Sequence, residues 1–313
     1  MSKELKKPDD LKRLSAIKDN LILRSHIIRE IRSCFYHDGF LEIETPVAIK
    51  APAPEDYINA PQAGAHFLRS SPELQMKRMV AAGYHKIFQI GQCFREGEIG
   101  NRHNVEFTML EWYETKQNYL GLMEFLKKII FKTVVRVKGT PLVNFRGQEI
   151  DFSLDWDVFT IREAFKKFAD TDPETAIAND EFEIILVEKI EPNLPKDRGV
   201  LLKDYPSSMA ALSKINDKCP ETAERCELYL GGIEISNAYS ELVDYNEQII
   251  RFAKAHATRK RQGLPEYQED NDFFDALKYG IDDFAGCALG IDRLVMVISD
   301  APDIKSVNSF TEF

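Results

Sequence analysis

The sequence predicts an α+β fold in which antiparallel hairpins and amphipathic helices share one chain. Residues 86–94 and 106–113 have the alternating polarity of two strands, and a polar loop that contains glycine joins them. Two shorter alternating runs flank Gly231-Gly232, which is the signal of a tight hairpin. Apolar residues recur at helical spacing over residues 11–36 and 119–134. We therefore expect an antiparallel sheet flanked by helices.

Composition limits the classes of protein to consider. The chain has 313 residues, 44% of them hydrophobic and 29% charged, which favours one large domain. The formal net charge of −10 provides no general basic surface for nucleic acid, so tRNA is not the expected partner. No apolar run approaches the ~18 residues of a membrane span, and residues 1–13 lack the core of a signal peptide. We expect a cytoplasmic protein with no membrane partner.

The cysteines are scattered without the C-x-x-C spacing of metal sites. They stand among apolar neighbours, so a disulfide framework is not expected either. We expect them to be reduced and mostly buried: Cys34, Cys93, Cys219, Cys226 and Cys287.

The N-terminal part of the chain begins with a predicted helix. Apolar spacing indicates one amphipathic helix over about residues 11–36. Residues 40–46, FLEIETP, then alternate like a strand that ends at a proline. Further along, Ser71 is the predicted N-cap of a second helix, with Pro72 at the first helical position. Glu73 then has a structural explanation, because acidic residues are favoured in a first turn.

The strand over residues 106–113 has one face of unusual chemistry. Side-chain alternation places Phe107, Met109, Glu111 and Tyr113 on that face. A carboxylate between aromatic residues is costly in an apolar core and suits a pocket for a cation and a flat ring. The alternative is an amphipathic hairpin with a solvated turn.

Cationic side chains surround the mouth of this hairpin. Arg95 closes the first strand, and Arg102 and His103 stand in the loop. Guanidinium groups in this arrangement suit a polyphosphate.

A second hairpin carries paired carboxylates. If Gly231-Gly232 form the loop, Tyr229 faces Glu234 and Glu227 becomes a diagonal cross-strand neighbour of Glu234. Like charges so close repel each other unless a cation lies between them, and Mg²⁺ with phosphate oxygens supplies one. The alternative is an acidic hairpin that faces solvent.

The C-terminal part contributes a further arginine. Arg293 lies in the first turn of a strongly apolar predicted helix, where a charge needs an anionic partner. That partner is a ligand phosphate or, alternatively, Asp292 or Asp300. The basic run Arg259-Lys260-Arg261 is typical of a solvated helix face, although it could also contact an acidic partner.

Residues from about 136 to 200 read as an insertion of mixed short elements without chemistry of their own. Acidic residues in the 151–157 stretch could suggest a metal loop. The stretch lacks the glycine and terminal glutamate of a calcium loop, so it predicts a solvated turn.

Four of these stretches together resemble the class II aminoacyl-tRNA synthetases. Phe94-Arg95 followed by residues 103–113, HNVEFTMLEWY, is similar to motif 2 of the lysine branch over about ten positions. Residues 226–242, CELYLGGIEISNAYSEL, are similar to the same branch, and residues 40–46 and 285–300 resemble motifs 1 and 3. The resemblance spans about residues 15–310. It implies a class II sheet flanked by helices, a homodimer built on motif 1, and activation of an amino acid by ATP and Mg²⁺.

The same resemblance implies roles for individual residues, matched position by position. For the phosphates of ATP it implies Arg95 at the α-phosphate and His103 and Arg293 at the outer phosphates. It implies that Phe107 stacks on adenine and that Glu227 and Glu234 bind Mg²⁺. Further contacts with ATP are implied for Glu96, Gly97, Asn104, the main chain of Leu228, and Gly290. For the amino acid it implies Glu73 at the α-amino group with Ser71 and Pro72 beside it, Glu111, Tyr113 and Glu241 at the cationic end, and Glu234, Asn237, Tyr239 and Ala288 as further pocket residues.

Within the synthetases, the chain resembles one paralogous family more than the others. A lysyl-tRNA synthetase carries an N-terminal domain that binds the anticodon, and we expect none here but one catalytic domain over residues 1–313. The expected relatives are the elongation factor P lysine ligases, which pass an activated lysine or β-lysine to a lysine side chain of elongation factor P. Ala288 at a position where synthetases carry glycine agrees with that family.

Two departures from the family pattern keep alternatives open. Gly97 stands where motif 2 usually has the glutamate that reads adenine, with Glu96 and Glu98 on either side. Ser236-Asn237-Ala238 replaces Gly-Asn-Gly. The alternatives are a minimal lysyl-tRNA synthetase that charges tRNA and a catalytically silent binding paralogue.

Overall fold

The computed structural model describes residues 8–55 and 58–311, and its central feature is an eight-stranded sheet. The other residues of the predicted domain, 1–7, 56–57 and 312–313, lie outside the described residues. The strands are β1 (Leu41–Glu42), β2 (Ala48–Ile49), β3 (Gln62–Ala63), β4 (His66–Leu68), β5 (Lys86–Phe94), β6 (Glu106–Thr115), β7 (Leu142–Phe145), β8 (Gln148–Asp151), β9 (Asp157–Thr160), β10 (Gly199–Pro206), β11 (Thr222–Leu230), β12 (Ile233–Ser240) and β13 (Phe284–Gly290).

The helices pack on both faces of this sheet. The α-helices are α1 (Asp9–Ala16), α2 (Lys18–His37), α3 (Glu73–Ala81), α4 (Tyr119–Lys138), α5 (Ile161–Ala169), α6 (Pro173–Ala178), α7 (Phe182–Ile185), α8 (Tyr245–Arg261), α9 (Asn271–Tyr279) and α10 (Ile291–Ser299). A π-helical turn follows at Leu186–Ile190, and 3₁₀ turns lie at Glu191–Asn193, Ser207–Met209 and Ile304–Ser306.

The sheet is antiparallel through its centre, in the order β1-β5-β6-β13-β12-β11-β10-β9. The exceptions are at its two edges, where β1 pairs with β5 and β9 pairs with β10 in parallel. The predicted α+β architecture of an antiparallel sheet flanked by helices is therefore confirmed, with parallel edge strands added.

The hairpin of β5 and β6 forms where the alternation predicted it. Its strands pair from Lys86 with Glu114 to Phe94 with Glu106. Leu110 and Trp112 point into the main core and are fully buried, while Glu111 belongs to the opposite face. One face of β6 therefore builds the core and the other is free to build a site.

The second hairpin turns at Gly231-Gly232, as predicted. Both glycines have positive φ, +57° and +77°, which a two-residue hairpin loop of this kind requires. Tyr229 pairs with Glu234, but a register shift after Leu228 then pairs Glu227 with Asn237. The predicted diagonal relation of the two glutamates is wrong by one residue, because a bulge adds a residue to β12.

The main core lies between the sheet and helices α2, α4 and α10. The α4 helix is longer than the apolar pattern indicated, because Asn118 caps its N-terminus and Gly139 at φ +74° ends it. The single helix predicted near the N-terminus is two helices that meet at Ile17. Ile17 is buried at this corner, and Arg13 of the first helix donates to the carbonyl oxygen of Ser309.

Two local boundaries also differ from the sequence predictions. The predicted strand over residues 40–46 is only Leu41–Glu42, although Ile43 still donates from its backbone to the carbonyl oxygen of Phe88 at 2.9 Å. The α3 helix starts at Glu73 with Pro72 as the residue before it, one position later than predicted. Ser71 keeps the expected capping contact, because its Oγ accepts from the backbone nitrogen of Glu73 at 3.0 Å.

The segment predicted as an insertion packs on and extends the large sheet. Strand β9 extends the large sheet, and α5, α6 and α7 enclose a second apolar core around Phe165 and Phe182. The 151–157 stretch is a turn in which the carboxylate of Asp151 accepts from Ser153, as the solvated-turn prediction expected.

Arg259, the first residue of the basic run at the end of α8, does not lie on a solvated face. Arg259 is fully buried and donates to the carbonyl oxygens of Glu55, Ile58 and Pro265. Its guanidinium also lies 4.2 Å from the ring centre of Tyr267. The prediction is wrong because two of these carbonyl groups, those of Glu55 and Ile58, come from a distant loop, which no local pattern shows.

No helix within residues 8–55 and 58–311 is long and apolar enough to cross a membrane. The cysteines are free thiols, and Cys93, Cys226 and Cys287 are buried, whereas Cys219 is exposed.

Candidate active site

A cavity of about 400 Å³ opens on the face of the sheet opposite the main core. Strands β6, β11, β12 and β13 form its floor, and the loop before β3 and the turn after α7 form its sides. Most of the residues predicted for the site line it: Ser71, Glu73, Arg95, His103, Asn104, Phe107, Glu111, Tyr113, Glu227, Glu234, Asn237, Tyr239, Glu241, Ala288, Gly290 and Arg293.

Four predicted residues are not in the cavity wall. Glu96 and Gly97 are exposed outside it, and their contacts with the nucleotide stay predictions. Glu98 takes their place, because Gly97 at φ +79° turns the chain and brings the next side chain inward. Pro72 is buried behind the wall, and the side chain of Leu228 lies in the main core, so Leu228 offers only its main chain.

One end of the cavity is cationic around Arg293. Its guanidinium donates to the carbonyl oxygen and to Oε2 of Glu234, both at 3.0 Å. It also lies 2.6 Å from Nε2 of His103. Burial, and then the nearby charge of Arg293, lower the pKa of His103, which keeps the imidazole neutral and able to accept from the guanidinium. The predicted alternative partners Asp292 and Asp300 are not the ones used.

Arg95 is the second cationic group. Its guanidinium lies 3.5 Å from Glu98 and 5.1 Å from the ring centre of Phe107. The Nε of Arg95 is buried and makes no hydrogen bond within the described residues. A buried donor without an acceptor is costly, so this group suits an anionic ligand.

Glu227 is fixed by two neighbours on its own strand. Oε1 accepts from Arg225 at 2.7 Å and Oε2 accepts from Tyr229 at 2.8 Å. Arg225 in turn lies over the ring of Tyr205, 4.3 Å from its centre. The carboxylate is therefore held in one orientation in the cavity wall.

The other end of the cavity is a buried acidic cluster, which we define as Glu73, Glu111 and Glu241. Lys77 lies between two of them, with its Nζ 2.5 Å from Glu73 and 2.5 Å from Glu241. Glu111 accepts from Tyr113 at 2.6 Å and from Ser71 at 2.8 Å. Three carboxylates thus face one ammonium group.

Burial changes the protonation of this cluster. Desolvation, and then the charge of Glu73, raise the pKa of Glu111 to about 7. Desolvation likewise raises the pKa of Glu241, although Lys77 opposes this. The pKa of Lys77 is raised because the attraction of Glu241 and Glu73 outweighs its own burial. The ammonium is therefore charged, and the carboxyls of Glu111 and Glu241 can take up or release protons near neutral pH.

Sequence reasoning missed several residues that shape the cavity. Lys77 stands four residues after Glu73 on α3, a spacing that places both on one helix face and could have been found. Arg225 stands two residues before Glu227 on β11, which is also a same-face spacing. Glu55, Glu183 and Glu191 could not have been found, since they reach the cavity from distant segments.

A second set of contacts supports the wall from behind. Asp292, buried at the start of α10, accepts from the backbone nitrogen of Thr108 at 3.0 Å and pairs with Arg24. Arg24 also donates to the hydroxyl oxygen of Thr108 at 2.8 Å. These bonds tie α2, β6 and α10 together beside Arg293.

The donor set fits a nucleoside triphosphate with a hard cation. Arg95, Arg293 and His103 are the groups for phosphate oxygens, and Phe107 offers a ring face. Within the described residues no cluster of three or more His, Cys, Asp or Glu could hold a metal by itself. Two carboxylates, Glu227 and Glu234, are nevertheless sufficient for Mg²⁺, which is usually completed by substrate phosphates and water.

An antiparallel sheet with a cavity that is cationic at one end and acidic at the other agrees with the catalytic domain of a class II aminoacyl-tRNA synthetase. The chain belongs to this family, since residues 7–313 match the tRNA synthetases class II (D, K and N).

The most informative relatives fall in two groups. The chain is 33% identical over 311 residues to an elongation factor P–(R)-β-lysine ligase of Yersinia enterocolitica, covering 93% of this chain and 94% of the relative. A ligase of the same name from Buchnera aphidicola is 34% identical over 315 residues, with 95% and 96% covered. The lysine–tRNA ligase of Aromatoleum aromaticum is 33% identical over 321 residues, and this chain spans only 63% of its length.

Proposed function

We propose that this protein is an ATP-dependent ligase that activates lysine or (R)-β-lysine as an aminoacyl-adenylate and transfers it to a lysine side chain of elongation factor P. The observation that carries the proposal is the charge of the acidic cluster. When a cationic ligand draws the protons off, Glu73, Glu111 and Glu241 can supply three negative charges, and Lys77 neutralises one of them. The remaining two match the two ammonium groups of a diamino acid. Both lysine isomers carry these groups.

The two ends of the cavity would bind the two substrates next to each other. With the ammonium groups of the amino acid at the acidic cluster, its carboxylate would face Arg95, which would hold the α-phosphate. The carboxylate oxygen attacks the α-phosphorus, the bond to the β-phosphate breaks, and pyrophosphate leaves. Arg293 and His103 would hold the outer phosphates as they take up charge. Catalysis is then mainly positioning and charge stabilisation.

Glu227 and Glu234 are the residues that would hold Mg²⁺. The cation supplies neutralisation of the phosphate oxygens. Glu234 offers Oε1 for this role, since only Oε2 pairs with Arg293 within the described residues. Arg225 and Tyr229 keep the carboxylate of Glu227 oriented.

The choice of acceptor rests on the relatives. This chain covers 94% and 96% of the length of the two relatives named elongation factor P–(R)-β-lysine ligase. It covers only 63% of the length of the lysine–tRNA ligase. The net charge of −10 also argues against a tRNA acceptor. We further propose that the protein acts in the cytoplasm as a homodimer built on the motif 1 region.

The second candidate is a lysyl-tRNA synthetase core, which the lysine–tRNA ligase relatives favour. It shares the adenylation step and differs in the acceptor. A silent binding paralogue, by contrast, is opposed by the presence of Arg95, Arg293, Glu227 and Glu234 in one cavity.

The test offers labelled lysine or (R)-β-lysine with ATP to the purified protein, together with either elongation factor P or tRNA. We expect label on elongation factor P and none when its acceptor lysine is replaced by arginine. Label on tRNA alone would establish the second candidate. If neither isomer supports pyrophosphate exchange, the protein is not an amino-acid-activating enzyme.

A further inference from the structure

A groove of about 700 Å³ continues from the cationic end of the cavity toward the surface. It shares Arg102, His103, Val187 and Glu191 with the cavity wall. Its own outer part includes Arg146 and Lys196. The groove therefore adjoins the cavity at its cationic end.

The groove carries more positive than negative charge. Arg102, Arg146 and Lys196 line it, and Glu191 is its one carboxylate. Within residues 8–55 and 58–311, none of these three cations lies in an ion pair with a carboxylate, whereas most arginines of the cavity have such a partner. Burial, and then the charge of Arg146, lower the pKa of Arg102. Cations that repel each other at close range favour an anion between them.

The position of the groove identifies its anion. Arg293 donates from Nε to the carbonyl oxygen of Arg102 at 3.4 Å and from Nη2 to His103. The cations of the groove thus begin where the outer phosphates of a bound triphosphate would lie. The leaving group formed there carries up to four negative charges and has to pass one of the openings of the cavity.

Arg146, in the outer part of the groove, has a guanidinium group that its neighbours orient. Arg146 stacks on Phe145, with the guanidinium 5.0 Å from the ring centre, and donates from Nη2 to the carbonyl oxygen of Pro302 at 3.2 Å. Its backbone nitrogen donates to Asp300 at 2.7 Å. These contacts orient the guanidinium and leave its other donors for an anion. Lys196 also lines the groove, and its Cε lies 3.6 Å from where a Cβ on Gly232 would be.

We propose that this groove is a pyrophosphate-binding exit site, in which Arg102, Arg146 and Lys196 receive the leaving group from Arg293 and His103. The inference rests on the proposed function, because pyrophosphate is the product of adenylation. No covalent step occurs in the groove; the anion moves as a unit after the phosphorus–oxygen bond has broken. The groove also serves the reverse reaction, since pyrophosphate has to enter by the same route.

The first experiment measures amino-acid-dependent exchange of pyrophosphate into ATP. The double variant Arg146→Gln with Lys196→Gln should raise the KM for pyrophosphate at least fivefold and change the KM values for ATP and the amino acid less than twofold. The matched control is Arg136→Gln with Lys189→Gln, which removes two exposed cations outside the groove and should change nothing. Arg146→Lys with Lys196→Arg should restore most of the affinity. An unchanged KM for pyrophosphate in the double variant overturns the proposal.

The second experiment separates this proposal from the proposed function. Calorimetric titration of pyrophosphate with Mg²⁺ into the protein alone requires no turnover, so it reports on the groove even if exchange is absent. We expect weaker binding to the double variant at an unchanged melting temperature. Equal binding to both proteins overturns the proposal. A raised KM for the acceptor protein with unchanged pyrophosphate binding also overturns it and assigns the groove to the acceptor.

Discussion

The Nζ of Lys77 lies 2.5 Å from Oε2 of Glu241, and both side chains are about 1% exposed. The same ammonium is 2.5 Å from Glu73, so one buried cation joins helix α3 to the strand end at Glu241. The ion pairs of Lys77 stabilise the fold and also belong to the site, because Glu73 and Glu241 line the cavity. Lys77 sets how much negative charge the cavity offers to a substrate.

Replacement of Lys77 should therefore destabilise the fold. Lys77→Met leaves Glu73 and Glu241 buried without a cation, and the free energy of unfolding should fall by about 3–5 kcal/mol. Lys166→Met, which removes an exposed pair with Asp170, should have no measurable effect. Urea denaturation of both variants measures the difference. Equal midpoints for Lys77→Met and the unmodified protein would show that the pair contributes nothing.

The acidic cluster should make substrate affinity depend on pH. The pKa of Glu111 is raised to about 7 by burial, so this carboxyl is neutral in acid and gains its charge as pH rises through 7. The KM for lysine should fall as pH rises from about 6 to about 8. Glu111→Gln should have a higher KM and lose this contribution to the pH dependence. A KM that rises over the same range would contradict the assignment.

The same shift has the opposite effect on the stability of the protein without substrate. A carboxyl whose folded pKa lies above its unfolded value binds more protons in the folded state between the two values, here between about 4.5 and about 7. Glu111 should therefore destabilise the fold as pH rises through this window. Urea denaturation across the window, compared with Glu111→Gln, measures this slope.

The neighbouring acids Glu96 and Glu98 should differ in their effect on ATP. Glu98 lines the cavity 3.5 Å from Arg95, whereas Glu96 is exposed. We expect Glu98→Gln to raise the KM for ATP about fivefold to tenfold, as for the loss of a charged contact of about 1–1.4 kcal/mol. Glu96→Gln is the matched control and should leave it unchanged. The opposite order would return the nucleotide contact to Glu96.

Gly286 has no Cβ, and this leaves room for the side chains of Tyr113 and Glu241. A Cβ at this position would lie 2.2 Å from Cε1 of Tyr113 and 2.5 Å from Oε1 of Glu241. Gly286→Ala should displace both and raise the KM for lysine at least tenfold, with a smaller effect on the KM for ATP. Gly100→Ala meets nothing within 4 Å and serves as the control. If Gly286→Ala raises both KM values equally, the damage is general and not confined to the amino-acid end.

Arg259 should hold the loop that carries Glu55 and Ile58 against the cavity. Its Nη1 donates to their carbonyl oxygens at 2.6 and 2.8 Å, and Arg259 is fully buried. Arg259→Met leaves these carbonyl groups unpaired. Amide hydrogen exchange at residues 58–60 should therefore become faster, and the KM for ATP should rise. Arg261→Met, at an exposed position on the same helix, should change neither. Unaltered exchange in Arg259→Met would show that the loop is held by other contacts.

Much of the fold could be predicted from local patterns. The period of two in residues 106–113 placed Glu111 and Tyr113 opposite Leu110 and Trp112, and the paired glycines placed Tyr229 opposite Glu234. Patterns of this kind depend on side-chain direction along one strand, which the backbone geometry determines. The bulge after Leu228 was not visible, because a bulge depends on both paired strands.

By itself the sequence determined the two central hairpins, several of the helices and the presence of arginines and glutamates at the cavity. Only the tertiary structure decided which charges meet. It buried Arg259 against distant carbonyl groups, exposed Glu96 while turning Glu98 inward, and brought Glu55 and Glu191 to the cavity. The physical reason is that periodicity describes neighbours along one element, whereas the partner of a buried charge is chosen by desolvation and contact between elements far apart in the chain.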